Sequence, residues 1–293
     1  MKQATIVIAD LRIGLHSNQD MTESLLDHSF FDEGDGDIRL TVHYETAPAF
    51  KIKRRLFDSG DTWALFESEG KYVVQNDALE SGSAPDTFVV LEPDFNFGEI
   101  FTCGAYSKEK LPPDPLPYPL NQILMILLLS RGRGLLFHAC GIDDDGKGYL
   151  FLGNSGDGKS TSAKLWFDHG ITVLNDDRII VREKEGKFWM YGTPWHGDFK
   201  EHSSHGLPID KLFFLRHGKK NSAQAKGGVE AVSMLLARSF PPFWDKDGMS
   251  FTIEFCQRLV NQIPCYELTF VPDAGIIDFV RSIQTSPSHR RER

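Results

Sequence analysis

Long apolar runs are missing from this 293-residue chain. Its most apolar stretch, ILMILLLS from Ile123 to Ser130, is far shorter than the ~20 residues a membrane span needs. The opening residues, MKQATIVIAD, lack the apolar core of a secretory signal. Neither a membrane partner nor a secreted fate is expected. Cysteine is scarce too. The four present, Cys103, Cys140, Cys256 and Cys265, form no CxxC pair, which argues against a disulfide framework or a thiolate metal site. Free thiols in a reducing cytoplasm are the expectation. Positive charge is in short supply: 32 Lys and Arg face 41 Asp and Glu, a net charge of -9. Nonspecific attraction to nucleic acid or to an anionic membrane is therefore not expected.

What remains suits a soluble globular protein of one or two domains. Residues 1 to 111 hold strand-like pieces: ATIVIAD, IRLTVHYE, TWALFES, KYVVQND and DTFVVLEPD. The acidic stretch from Phe31 to Asp37, FDEGDGD, lacks the ligand ladder of a calcium loop and reads as a solvated turn. LPPDPLPYP has five prolines in nine residues and reads as a linker over 112–119. A helix from Leu120 to about Ser130 follows, with Arg131 and Arg133 near its end. The rest, to 285, alternates strands and helices: GLLFHACGI, a DDDGKG turn, YLFLG, a helix over KSTSAKLWF with Ala163, Trp166 and Phe167 on one face, then ITVLNDD. RIIVREKEGKFWMYG reads as a hairpin, KLFFLRHG and CYELTFV as strands, and EAVSMLLARSF, SFTIEFCQRLVNQI and AGIIDFVRSI as helices. The polar tail, 286–293, is expected to be disordered.

One nine-residue segment carries the chemistry. GNSGDGKST comprises Gly153, Asn154, Ser155, Gly156, Asp157, Gly158, Lys159, Ser160 and Thr161. It contains G-x-x-x-x-G-K-[ST], which average usage would place in a chain this long roughly one time in a hundred. An apolar strand precedes it and a helix follows, as a phosphate-binding loop requires. Glycine lets the backbone approach a ligand, consecutive N–H groups curl around a phosphate, and the helix start adds its positive dipole end. Lys159 is expected to reach the β- and γ-phosphates, and the Ser160 hydroxyl to bind Mg²⁺. The expected ligand is ATP with Mg²⁺.

NDD, Asn175 to Asp177, ends the next strand. Ligands of α/β sheets sit at the carboxyl ends of strands. Two adjacent carboxylates there can share out metal binding and proton acceptance. No LSGGQ-like stretch and no NKxD motif is present, which argues against an ABC-type ATPase and a small GTPase. A generic ATPase remains open.

As a set, LLFHACGIDDDGKGYLFLGNSGDGKSTSAKLW, GITVLNDDRIIV and GTPWHG resemble the catalytic domain of the HPr kinase/phosphorylase family over about residues 118 to 285. The resemblance implies an α/β (α+β mixed) fold like the ATP-binding core of phosphoenolpyruvate carboxykinase, with a strongly bent sheet, beside a β-rich N-terminal domain. It implies that Asp176 is the general base toward a serine hydroxyl, that Asp177 helps hold Mg²⁺, and that His138 lies beside the reacting phosphate. It also implies an oligomer. The family's PVxxGR-like stretch is absent, so neither HPr as substrate nor phosphorylase activity is expected. The acceptor is expected to be another protein, a peptide or a small hydroxyl compound. Two alternatives stay open: an ATP-binding regulator that presents a partner surface, and a carboxykinase-like small-molecule enzyme.

Other residues weigh less. His196, His202 and His205 are spaced too loosely for a metal site; the resemblance implies a substrate-side loop with Trp195 and His196 near the cleft, and turn chemistry around Pro194 and Gly197 is equally open. Arg216 and Arg238 are open to a charge-neutralising role or an ordinary surface one. Phe213, Phe214, Phe251 and Phe255 are expected in the core. Ser155, Thr161 and Ser162 belong to no hydrolase triad.

Overall fold

The computed structural model describes residues 2–21, 25, 28–60, 62–76, 87–102 and 112–284. Cys103, Leu111 and the polar tail lie outside them. The chain is a mixed α+β protein of two compact units, Met1–Arg131 and Gly132–Arg293. The unit boundary follows the helix after the Pro-rich stretch rather than the prolines themselves. Leu116 and the helix's leucines are buried, so this stretch packs as part of the first unit.

The first unit holds a nine-stranded mixed sheet among its described residues. Its strands are β1 (Lys2–Ile8), β2 (Leu11–Ser17), β3 (Phe31–Asp32), β4 (Ile38–His43), β5 (Ile52–Asp58), β6 (Trp63–Ser68), β7 (Lys71–Asn76), β8 (Thr87–Leu91) and β9 (Phe97–Thr102). The order is β3-β1-β2-β4-β9-β8-β7-β6-β5, with β2–β4 and β4–β9 parallel. Helix α1 (Leu120–Leu129) is apolar nearly all round, which explains its burial. Arg131, just past it, lies 4.3 Å from the Phe95 ring centroid and donates to the Tyr72 hydroxyl.

The second unit holds eight strands among its described residues: β10 (Leu135–Asp144), β11 (Lys147–Leu152), β12 (Thr172–Asn175), β13 (Arg178–Lys184), β14 (Lys187–Tyr191), β15 (Gly206–His217), β16 (Ser222–Lys226) and β17 (Cys265–Phe270). Two tight hairpins build it. Asp145 and Gly146 at φ 52° and 83° join β10 to β11, and Glu185 and Gly186 at 53° and 73° join β13 to β14. Two successive left-handed residues match the twist of the flanking strands. The long strands β10 and β15 bend the sheet. β10 pairs with β13 through its first half and with β11 through its second. β15 pairs with β14 through its first residues and then runs parallel to β11. The pairing β11-β10-β13-β14-β15 therefore returns to β11.

Alternating side chains feed two cores on the sheet's two faces. Leu150, Leu152, Leu212 and Phe214 face α3 (Gly228–Leu236) and α4 (Lys246–Gln262), which add Leu235, Phe255 and Leu259. Tyr149, Phe151, Phe213 and Leu215 face α2 (Lys159–Phe167) and α5 (Gly275–Ser282), which add Ala163, Trp166, Ile277 and Val280. The expected buried face of α2 needs one correction. Phe167 is 44% exposed and meets the Phe199 ring edge-on, while Ser162 takes its buried place. Phe213 is a core residue of one face and Phe214 and Phe255 of the other, where Phe251 packs beside Phe255.

Candidate functional site

The glycine-rich loop runs from the carboxyl end of β11 into α2. Gly156 and Gly158 sit at φ 86° and 96°, a region that disfavours any residue with a Cβ. At Gly158 a Cβ would also lie 2.7 Å from the Phe270 ring. Gly158 is the N-cap of α2, no side chain caps the helix, and the first helical bond runs from the Ser162 N–H to the Gly158 carbonyl. The preceding N–H groups of the turn are left without a capping oxygen. Two contacts fix the loop: the Asp157 carboxylate accepts from the Asn154 N–H at 2.6 Å, and His217 Nε2 bonds the Gly156 carbonyl at 2.6 Å.

Lys159 is folded back under the loop. Its Nζ donates to the Gly153 and Asn154 carbonyls, each at 3.0 Å, and the residue is 6% exposed. Burial pushes its pKa below the usual lysine range, against the pull of Asp177 and Asp157. An anion bound in the loop would offset that burial.

The strand β12 delivers the two aspartates through a turn built by Asn175. Its side-chain oxygen accepts from the Asp177 and Arg178 N–H groups at 2.7 and 2.8 Å, and its amide donates to the Thr193 carbonyl at 2.9 Å. This Asx turn gives the neighbouring carboxylates different surroundings. Asp176 is 0% exposed. It accepts from Ser160 Oγ at 2.6 Å, from Gly197 N–H at 2.7 Å and from Phe199 N–H at 3.1 Å. Asp177 instead opens on the cleft. His138 Nε2 lies 2.8 Å from one of its oxygens, and Arg178 pairs with the other. Burial pushes the Asp177 pKa up, but the His138 hydrogen bond, the Arg178 charge and Lys159 outweigh it. The carboxyl is held below its usual range.

These groups share one cleft of about 300 Å³. Ser155, Gly156 and Gly158 to Thr161 line it together with His138, Asp177, Gly197 and Asp198. Of the residues expected from sequence, Gly153, Asn154 and Asp157 shape the loop from behind. Asp176 lies beneath Ser160 and the 197–199 backbone and, unlike Asp177, does not line the cleft. Sequence reasoning named Asn175 without a role of its own and passed over Asp198 and His217. Asp198 sat inside the GTPWHGD stretch with nothing to separate it from the other polar residues there. His196 does not line the cleft; its ring stacks on His202 at 5.9 Å, and His205 pairs with Asp143. No group of three metal-ligating side chains occurs among the described residues. Arg216 is engaged by Glu267, and Arg238 is buried with Nη1 on the Met234 carbonyl.

No protein-family model matches the chain, and no curated protein matches it. Solved structures are similar, among them one from a bacterial kinase/phosphatase. The Hpr(Ser) kinase/phosphatase from Coxiella burnetii aligns at 12% identity over 50% of this chain and 93% of its own, with a TM-score of 0.32. A likeness at that level carries no argument about activity. No helix among the described residues is long and apolar enough to cross a membrane.

Proposed function

We propose that the second unit is an ATP- and Mg²⁺-dependent phosphotransferase of the HPr kinase type, acting on a serine-type hydroxyl of a protein, peptide or small molecule. One observation carries this reading. An uncapped helix start, a left-handed glycine loop and a buried lysine open on the same cleft as a carboxylate–imidazole pair. Phosphoryl transfer asks for little else than positioning and charge.

The loop N–H groups and Lys159 would hold the phosphates. Ser160 donates its hydroxyl hydrogen bond to Asp176, so its oxygen lone pairs stay free to accept a cation. Asp198, also in the cleft, adds a carboxylate oxygen, and this hard-oxygen set suits Mg²⁺. When bound, Mg²⁺ neutralises charge on the phosphates. The geometry supports an exchange of the expected roles within the aspartate pair. Asp177, open and held ionised, takes the proton of the acceptor hydroxyl. His138 orients it and spreads the charge. Asp176 acts on Ser160 and on the 197–199 segment, not on the acceptor.

The test is transfer from γ-labelled ATP to a mixture of serine-containing peptides. Asp177→Asn is expected to lower the rate by about 100-fold or more, the usual worth of a positioned base. Full activity in that variant would sink the assignment. ATP binding without transfer in the wild type would favour the regulator over the enzyme.

A further inference from the structure

A second cleft, of about 450 Å³, lies at the opposite end of β11 and β15 from the glycine-rich loop. Lys147, Tyr149, Lys211 and Arg281 line it, together with Asp210. Roughly 20 Å of extended strand separates Lys147 from Gly153, so this is a different place on the molecule.

Lys211 is the group that calls for an explanation. It is only 8% exposed. Its Nζ makes one hydrogen bond, to the Val280 carbonyl at 3.0 Å, and lies 5.4 Å from the Tyr149 ring centroid. An ammonium carries three donors, so capping the end of α5 uses one of them. No carboxylate forms an ion pair with it among the described residues. A buried charge with no ion-pair partner is costly, and a bound anion would offset that cost. Burial pushes its pKa down and the neighbouring Lys147 charge pushes the same way, with Asp210 opposing.

The acids nearby are already in use. Asp144 is gripped by Arg281 through two bonds, at 2.9 and 2.6 Å. Asp210 accepts from the Gly148 N–H at 2.8 Å. Lys147, Lys211 and Arg281 thus face the two carboxylates of Asp144 and Asp210, which leaves a small excess of positive charge here in a protein whose net charge is -9. We infer that this cleft is a second anion site, which takes a small ligand bearing a phosphate group. Lys211 is its floor and Lys147 its open side. This inference does not depend on the kinase reading.

The test is titration with inorganic phosphate, followed by calorimetry and by amide shifts. Lys159→Ala protein serves as the background, because there the loop's grip is weakened. One equivalent of phosphate is expected to bind, with shifts at residues 147–149, 210–211 and 281–284. Adding Lys211→Met is expected to weaken this binding at least tenfold. Adding the surface change Lys147→Ala is expected to weaken it about threefold, without risk to the fold. Absence of binding in the Lys159→Ala background, or unchanged affinity in both lysine variants, would overturn the inference. Loss with Lys159→Ala alone would leave the loop reading standing while this one falls.

Discussion

The neighbours Asp176 and Asp177 differ by one position and by almost everything else. Asp176 accepts three hydrogen bonds out of reach of solvent, two of them from backbone N–H groups. In Asp176→Asn an amide NH₂ must face those donors or turn away. We expect a loss of about 2–4 kcal/mol of stability and weaker nucleotide binding, read by urea unfolding and calorimetry. Asp177→Asn should leave the fold and nucleotide binding largely intact and remove transfer. Asp198→Asn should reduce the Mg²⁺ dependence of binding. The Asp177 pKa also sets a pH signature. Its folded value lies below its unfolded one, so its stabilisation is present above about pH 4 and lost as pH falls through the lower folded value. The stability gap between wild type and Asp177→Asn should therefore close in acid; a gap independent of pH would contradict this. At Gly158, alanine meets both a left-handed φ and the Phe270 ring. A cost of about 1–3 kcal/mol and at least a tenfold loss of nucleotide affinity are expected.

At the scale of elements, α2 holds the loop because Trp166 anchors it. That side chain is fully buried between Tyr149 and Phe151, with ring centroids 5.7 and 6.1 Å away. Trp166→Ala should cost about 3–5 kcal/mol and lower Tm accordingly. The sequence made this element legible, since its loop, helix and following strand carry local signals. Both hairpins were legible for the same reason: a glycine follows an acidic residue at each turn. The strands that escaped notice lack such signals. β5, IKRRLFD, lies at a sheet edge with most of its residues exposed, so it shows no alternation. β16, SAQAK, is another edge strand of small and polar residues. β2, LRIGLHS, is buried on both faces, which erases the polar half of the pattern. That the loop, His138 and Asp177 line one cleft was legible only as a set of residue types. The different surroundings of the two aspartates were not, because they depend on the Asn175 turn and on the Gly197 and Phe199 N–H groups, which reach Asp176 only through the fold. The free thiols were legible in part: Cys140, Cys256 and Cys265 are buried and unpaired, and burial raises the pKa of each. They are not reactive centres.

At the scale of the molecule, two compact units share one acidic chain. The glycine-rich loop and the cleft beside it fall in the second, and among the described residues the first is a nine-stranded sheet with one helix packed beside it. Nucleotide should therefore raise hydrogen-exchange protection over 153–161 and 175–199 and leave the strands of the first unit unchanged. Protection spreading through the first unit would instead favour the regulator. The most direct measurement of the central claim is calorimetric titration with a nonhydrolysable ATP analogue, with and without Mg²⁺, on wild type, Lys159→Ala and Asp177→Asn. Mg²⁺-dependent binding that is lost in Lys159→Ala and kept in Asp177→Asn is the predicted result. No binding to the wild type, or equal binding with and without Lys159, would contradict the account.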